Sequence, residues 1–171
     1  FDKMYAKRLK AYKQIGYELA CGLQIGKQTV NAIYDWDNYS TYYHKDLLGA
    51  NNNIIISSPV ISGPKVYELI NLLKEKQMSG VQITIVTWAP DSYRFGDAAY
   101  WMQLHEDMRQ AGFYIKTVEE SCERFAVIDQ EVVWYGNINL LAKDKVDDSI
   151  MRVLSKEIAS ELMEITFGDN G

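Results

Sequence analysis

The sequence predicts a three-layer α/β domain, with helices on both faces of a mixed, mostly parallel sheet. Three observations carry this reading. Short runs rich in β-branched and aromatic residues alternate with longer segments whose apolar residues recur every three or four positions. Two of the short runs, in NNNIIISSPVIS and VQITIVTWAP, are strongly apolar and halted by proline, as buried strands are. The chain has 171 residues, 47% of them hydrophobic and 24% charged, which is enough to bury a real core.

The first segment, DKMYAKRLKAYKQIGYELACGLQIGKQ, places Met4, Leu9, Tyr12, Ile15, Leu19 and Leu23 at helical spacing and fades at Gly22 and Gly26. Its Lys3, Lys7, Arg8, Lys10 and Lys13 form a basic face, open to solvent or to nucleic acid. We divide the chain accordingly into a helical appendage, 1–29, and a domain, 30–171. VNAIYDWDN reads as a strand running into a helix start, where Asp37 or Asn38 caps the helix of YSTYYHKDLLGA. NNNIIISSPVIS gives a turn and a strand over Ile54 to Ser57. GPKVYELINLLKEKQMSG is a helix with Pro64 in its first turn, an apolar face from Val66 to Leu73, and Gly80 at its end.

After the VQITIVTWAP strand come a loop and a helix ending at Gly112, then the strand FYIKTVE. RFAVID and EVVWYG make a hairpin about the polar pair Asp129-Gln130. A polar loop leads to the strand SIMRVL and a last helix capped by Ser155. No internal repeat or low-complexity segment interrupts this order.

Net charge is −5 with a pI near 5.1, so nothing attracts the chain as a whole to nucleic acid or to anionic lipid. Cys21 and Cys122 make no disulfide framework and suit a reduced, cytoplasmic setting. Two histidines argue against the usual zinc and iron sites, and no cofactor is expected. No apolar run is long enough to span a bilayer. The chain begins at Phe1, which suggests a piece of a longer protein.

The stretch CERFAVIDQEVVWYGNIN, residues 122–139, is the candidate site. Cys122 and Arg124 stand two positions apart and on a strand would share a face. Gly136-Asn137-Ile138-Asn139 follows the second strand, where a tight backbone and two carboxamides meet a ligand oxygen. Arginine and two asparagines at strand ends suit an anion. Turn-forming Asn and Gly on a hairpin account for the same residues.

This stretch resembles the phospholipase D superfamily signature, HxKx4Dx6GSxN. Asp129, Gly136 and Asn139 agree with it, while Cys122, Arg124 and Asn137 replace its histidine, lysine and serine. The resemblance covers roughly 30–167, and the tail DDSIMRVLSKEIASELMEITF is similar to versions of the domain appended to DNA helicase-like proteins. It implies a phospholipase D-like sandwich. Active members use a motif histidine as nucleophile and a second motif copy for the leaving-group proton, so one copy per chain implies a homodimer.

The substitutions separate binding from turnover. Arg124, Gly136, Asn137 and Asn139 would bind phosphate, with Cys122, Arg124 and Asp129 as a degenerate catalytic set. A Cys122 thiolate beside Arg124 is expected to have a lowered pKa, but a thiolate cannot protonate an alkoxide. Cys122 is equally readable as a small buried residue, and Asp129 as the holder of Arg124 or of a backbone turn. The expected function is a domain that binds phosphate or nucleic-acid backbone weakly, or mediates assembly with other domains of a larger DNA-processing protein. The alternative is an active, metal-independent homodimeric nuclease using Cys122. A third reading is a purely structural partner-binding module.

His44-Lys45-Asp46 spells the superfamily's short name, but neighbours on a helix point about 100° apart and cannot meet on one phosphate. His44 and His105 are expected outside any site. Trp101, Trp134 and Tyr135 are candidates for a stacking surface, or for the core.

Overall fold

The computed structural model describes residues 31–92, 98–142 and 148–168. The expected helix before residue 29 lies outside the described residues. Seven strands form one sheet: β1 (Ala32–Asp35), β2 (Asn53–Ser57), β3 (Gln82–Trp88), β4 (Tyr114–Val118), β5 (Phe125–Ile128), β6 (Val132–Gly136) and β7 (Ser149–Leu154). Their spatial order is β1-β7-β6-β5-β2-β3-β4. Among the described residues four helices accompany them: α1 (Tyr39–Leu48), α2 (Gly63–Met78), α3 (Ala98–Gln110) and α4 (Lys156–Phe167).

The three layers follow from strand alternation. Ile54 and Ile56 of β2, Ile83 and Ile85 of β3, and Ala126 and Ile128 of β5 face one way. There they meet Tyr43 and Leu47 of α1, Val66, Leu69 and Leu73 of α2, and Leu104 and Met108 of α3. Ile55, Val86, Phe125, Val127 and Val133 face the other way, beneath Ala159 and Leu162 of α4. Among the described residues, three helices therefore cover one face and a single helix the other.

The sheet is mixed, as expected, but "mostly parallel" needs correction. Only β2–β3 and β3–β4 are parallel, whereas β2–β5, β5–β6, β6–β7 and β1–β7 are antiparallel. A parallel neighbour needs a crossover, and only α2 and α3 provide one within the sheet's order. The β5–β6 connection is the Asp129-Gln130 turn. Both residues have positive φ, 55° and 57°, and the Glu131 N–H returns to the Ile128 carbonyl at 3.1 Å, which makes a type I′ turn.

Local signals hold at most helix ends. Pro64 lies in the first turn of α2, Gly80 and Gly112 take the left-handed conformations that follow α2 and α3, and Ser155 Oγ accepts the Ile158 N–H at 3.1 Å. At α1 the chain does otherwise. Asn38 occupies the cap position without a side-chain cap, and Asp35 Oδ1 accepts from Asp37 N and Asn38 N instead.

The decoy triplet has a structural use. Asp46 Oδ2 accepts from Arg152 Nε at 2.6 Å and Trp134 Nε1 at 2.8 Å, and Asp46 Oδ1 accepts from Arg152 Nη2 at 3.0 Å. This buried network ties α1 to β6 and β7. His44 instead lies 3.3 Å from Glu68, and His105 is buried on the inner face of α3. Trp134 is fully buried, so it belongs to the core and offers no stacking surface.

Candidate functional site

β2 and β3 run parallel and end together at Ser57 and Trp88, while β5 starts and β6 ends at the same edge. The motif residues of that edge thus lie beyond the carboxyl ends of parallel strands, the usual crevice of α/β sheets.

Arg124 immediately precedes β5. Its carbonyl accepts the Gly136 N–H at 3.4 Å, extending the hairpin ladder by one step. Its Nε donates to Asn139 Oδ1 at 3.0 Å. Asn139 is buried, at 7% exposure, in a loop held from several sides. Ser58 Oγ accepts the Leu141 N–H at 3.2 Å, the Ser62 N–H donates to the Leu141 carbonyl at 2.7 Å, and the Ala142 N–H reaches the Asn139 carbonyl at 3.3 Å. A fixed carboxamide thus grips one edge of a half-buried guanidinium. Among the described residues no acceptor meets Nη1 or Nη2 of Arg124. Those nitrogens keep the donors that a fork-shaped anion contact uses.

Gly136 is demanded by close packing. A Cβ there would collide with the Ser149 carbonyl and come within 2.7 Å of Ile150 Cα. Asn137 is exposed, and its backbone N–H donates to the Ser149 carbonyl at 3.2 Å.

Cys122 departs from expectation in two ways. The strand begins only at Phe125, so the two-residue alternation does not govern it. Its sulfur packs against the smaller core cluster beneath α4 and lies 3.4 Å from Ser57 Oγ. Burial pushes its pKa up, with Ser57 and Arg124 only partly opposing, so the group is a thiol at neutral pH. The lowered value expected from Arg124 alone is corrected by desolvation.

Asp129 lies at the far end of β5 from Arg124. Its carboxylate accepts the backbone N–H groups of Asn51, Asn52 and Asn53 at 2.7–3.2 Å. It therefore holds a backbone turn and does not touch Arg124. The structure brings Arg124 and Asn139 together, sets Cys122 against the opposite layer, and sends Asp129 away.

Sequence reasoning missed Ser57 and Ser58. Ser57 Oγ donates to the Glu123 carbonyl at 2.6 Å and anchors the loop before Arg124, while Ser58 anchors the loop that bears Asn139. The available signal was a pair of small polar residues closing an apolar strand. Tyr135 OH donates to Glu123 Oε2 at 2.8 Å, and its pKa is pushed up to about 12 by burial and then by that carboxylate. Among the described residues no group of three or more His, Cys, Asp and Glu is placed to hold a metal ion, and no helix is long and apolar enough to cross a membrane.

The family model described as cardiolipin synthase, PLD-like domain, matches residues 43–166. The chain belongs to this phospholipase D-like family. No curated protein matches it. Among solved structures it is similar to Nuc of Salmonella typhimurium, a phospholipase D family member, at 13% identity and a TM-score of 0.61, covering 78% of this chain and 89% of that one. NucT of Helicobacter pylori follows at 9% identity and 0.59, covering 79% and 91%. TrmBL2, an archaeal chromatin protein whose structure shows a mode of DNA binding, has 13% identity and 0.57, covering 99% of this chain and 63% of that one. At these identities the likeness is one of fold.

Proposed function

We propose that this is a degenerate phospholipase D-like domain that binds a phosphate group or nucleic-acid backbone through Arg124, with little or no phosphodiester hydrolysis. It works within a larger, helicase-like DNA-processing protein, where it also mediates assembly, and it pairs with a second copy of itself. One observation carries the reading: Asn139 holds Arg124 by Nε alone, which orients the guanidinium and leaves both terminal nitrogens for an anion. The chromatin-protein neighbour, whose structure shows a mode of DNA binding, supports a nucleic-acid setting.

Cys122 argues against turnover. A thiol with a raised pKa is a weak nucleophile at neutral pH, and its thiolate has no proton for a leaving alkoxide. Loss of general-acid help alone costs about 10²–10⁴ in rate, roughly 3–5 kcal/mol of barrier. The competing reading, a Cys122 nuclease, requires metal-independent activity that disappears in Cys122→Ala.

The test is titration of the full chain with inorganic phosphate, tungstate and short single-stranded DNA, followed by NMR of the Arg124 and Asn139 side chains. The expected result is a saturable response to phosphate and tungstate that is abolished by Arg124→Ala. Silence at millimolar ligand removes the binding claim and leaves assembly as the function.

A further inference from the structure

The edge that presents Arg124 is otherwise acidic. Asp91 lies in the 3-10 turn Pro90–Ser92 after β3, Glu119 and Glu120 follow β4, and Glu123 directly precedes Arg124; all four are exposed. The loop is fixed in place across the strand ends. Trp88 Nε1 donates to the Glu120 carbonyl at 3.0 Å, and the Ala89 N–H donates to the Val118 carbonyl at 3.0 Å. Across the described connections at this edge (58–62, 89–92, 119–124 and 137–142), Arg124 is the sole cation. In sequence, the segments 93–97 and 143–147 cancel: Arg94 against Asp97, Lys143 and Lys145 against Asp144 and Asp147.

A continuous strand of nucleic acid does not bring one phosphate alone. A strand laid along this edge would set its further phosphates over the ends of β3 and β4, where they would face carboxylates in place of the usual lysines. A compact anion avoids that repulsion, because its charge sits on the guanidinium. Resting on the anion-binding reading above, we infer that Arg124 takes a small anion such as inorganic phosphate, sulfate or a phosphate monoester. Asp91, Glu119 and Glu120 form a rim that excludes a nucleic-acid strand. Specificity against polyanions is thus written in the loops, while anion capture is written in the motif.

The experiment compares three forms of the full chain: the parent, the rim variant Asp91→Asn/Glu119→Gln/Glu120→Gln, and Arg124→Ala. Each is titrated with inorganic phosphate and with a short oligothymidylate. Phosphate should bind the parent and the rim variant within about twofold of each other and should not bind Arg124→Ala. The rim variant should bind oligothymidylate at least about tenfold more tightly than the parent at low salt, with the gap closing as salt rises. Glu119→Gln alone should move that affinity the same way by about twofold. If oligothymidylate binds parent and rim variant equally while phosphate binding still needs Arg124, the rim has no role and the anion site stands. If phosphate binds neither, the anion site itself falls, and this inference with it.

Discussion

At Asp129 one carboxylate accepts three consecutive backbone N–H groups, those of Asn51, Asn52 and Asn53. Charge-assisted bonds of this kind each contribute more than a neutral one, and removing the acceptor strands donors at the start of β2. Asp129→Ala should therefore destabilise the domain by about 2–4 kcal/mol, read by urea denaturation, without altering phosphate affinity. A loss of affinity with unchanged stability would return Asp129 to the binding site. Cys122 gives a prediction in pH. Its folded pKa is raised, so the fold binds a proton that the unfolded chain releases first. Its contribution is complete below the unfolded thiol's pKa and is lost as pH rises through the folded value. In a Cys21→Ser background, alkylation of Cys122 by iodoacetamide should be slower at pH 7.5 than that of free cysteine. A faster reaction would mean an activated thiolate and would revive the nuclease reading.

Among the elements, the ones written in short-range chemistry were legible in the sequence. Pro64, Gly80, Gly112, Ser155 and the Asp129-Gln130 turn act within four or five residues of themselves, so their spacing is enough. Strand direction was not legible, because whether β5, β6 and β7 run with or against β2 depends on pairings far apart in the chain. Nor was the Asp46–Arg152 bridge, whose partners are 106 residues apart. The Arg124–Asn139 pairing was legible through the motif, whereas the burial of Cys122 was not, since desolvation depends on what the fold packs around it. The Asp46 network also makes an element-scale prediction. Removing the carboxylate takes from Arg152, 6% exposed, the bidentate ion pair that links β7 to α1. Asp46→Ala should cost about 3–5 kcal/mol, measured by thermal and denaturant unfolding, whereas its neighbour Lys45→Ala, outside the network, should cost less than about 1 kcal/mol. Equal effects would show that the bridge adds nothing to helix docking.

For the molecule as a whole, the proposed loss of hydrolysis can be tested by restoring it. The sheet edge, the fixed loop and the oriented guanidinium are in place, while the chain supplies one motif copy and a protonated thiol where the family's resemblance implies a histidine. Under the proposed function, hydrolysis would need a better nucleophile, a proton donor and a second motif. The proposed self-pairing supplies the second motif from another chain, and Cys122→His supplies nucleophile and donor together. Cys122→His/Arg124→Lys should therefore hydrolyse an activated phosphodiester in EDTA, where the parent does not. Its rate per chain should climb with protein concentration until pairing saturates, because each active site needs histidines from two chains. A soluble, folded double variant with no hydrolysis at any concentration would show that pocket shape, and not only the absent imidazole, has been lost.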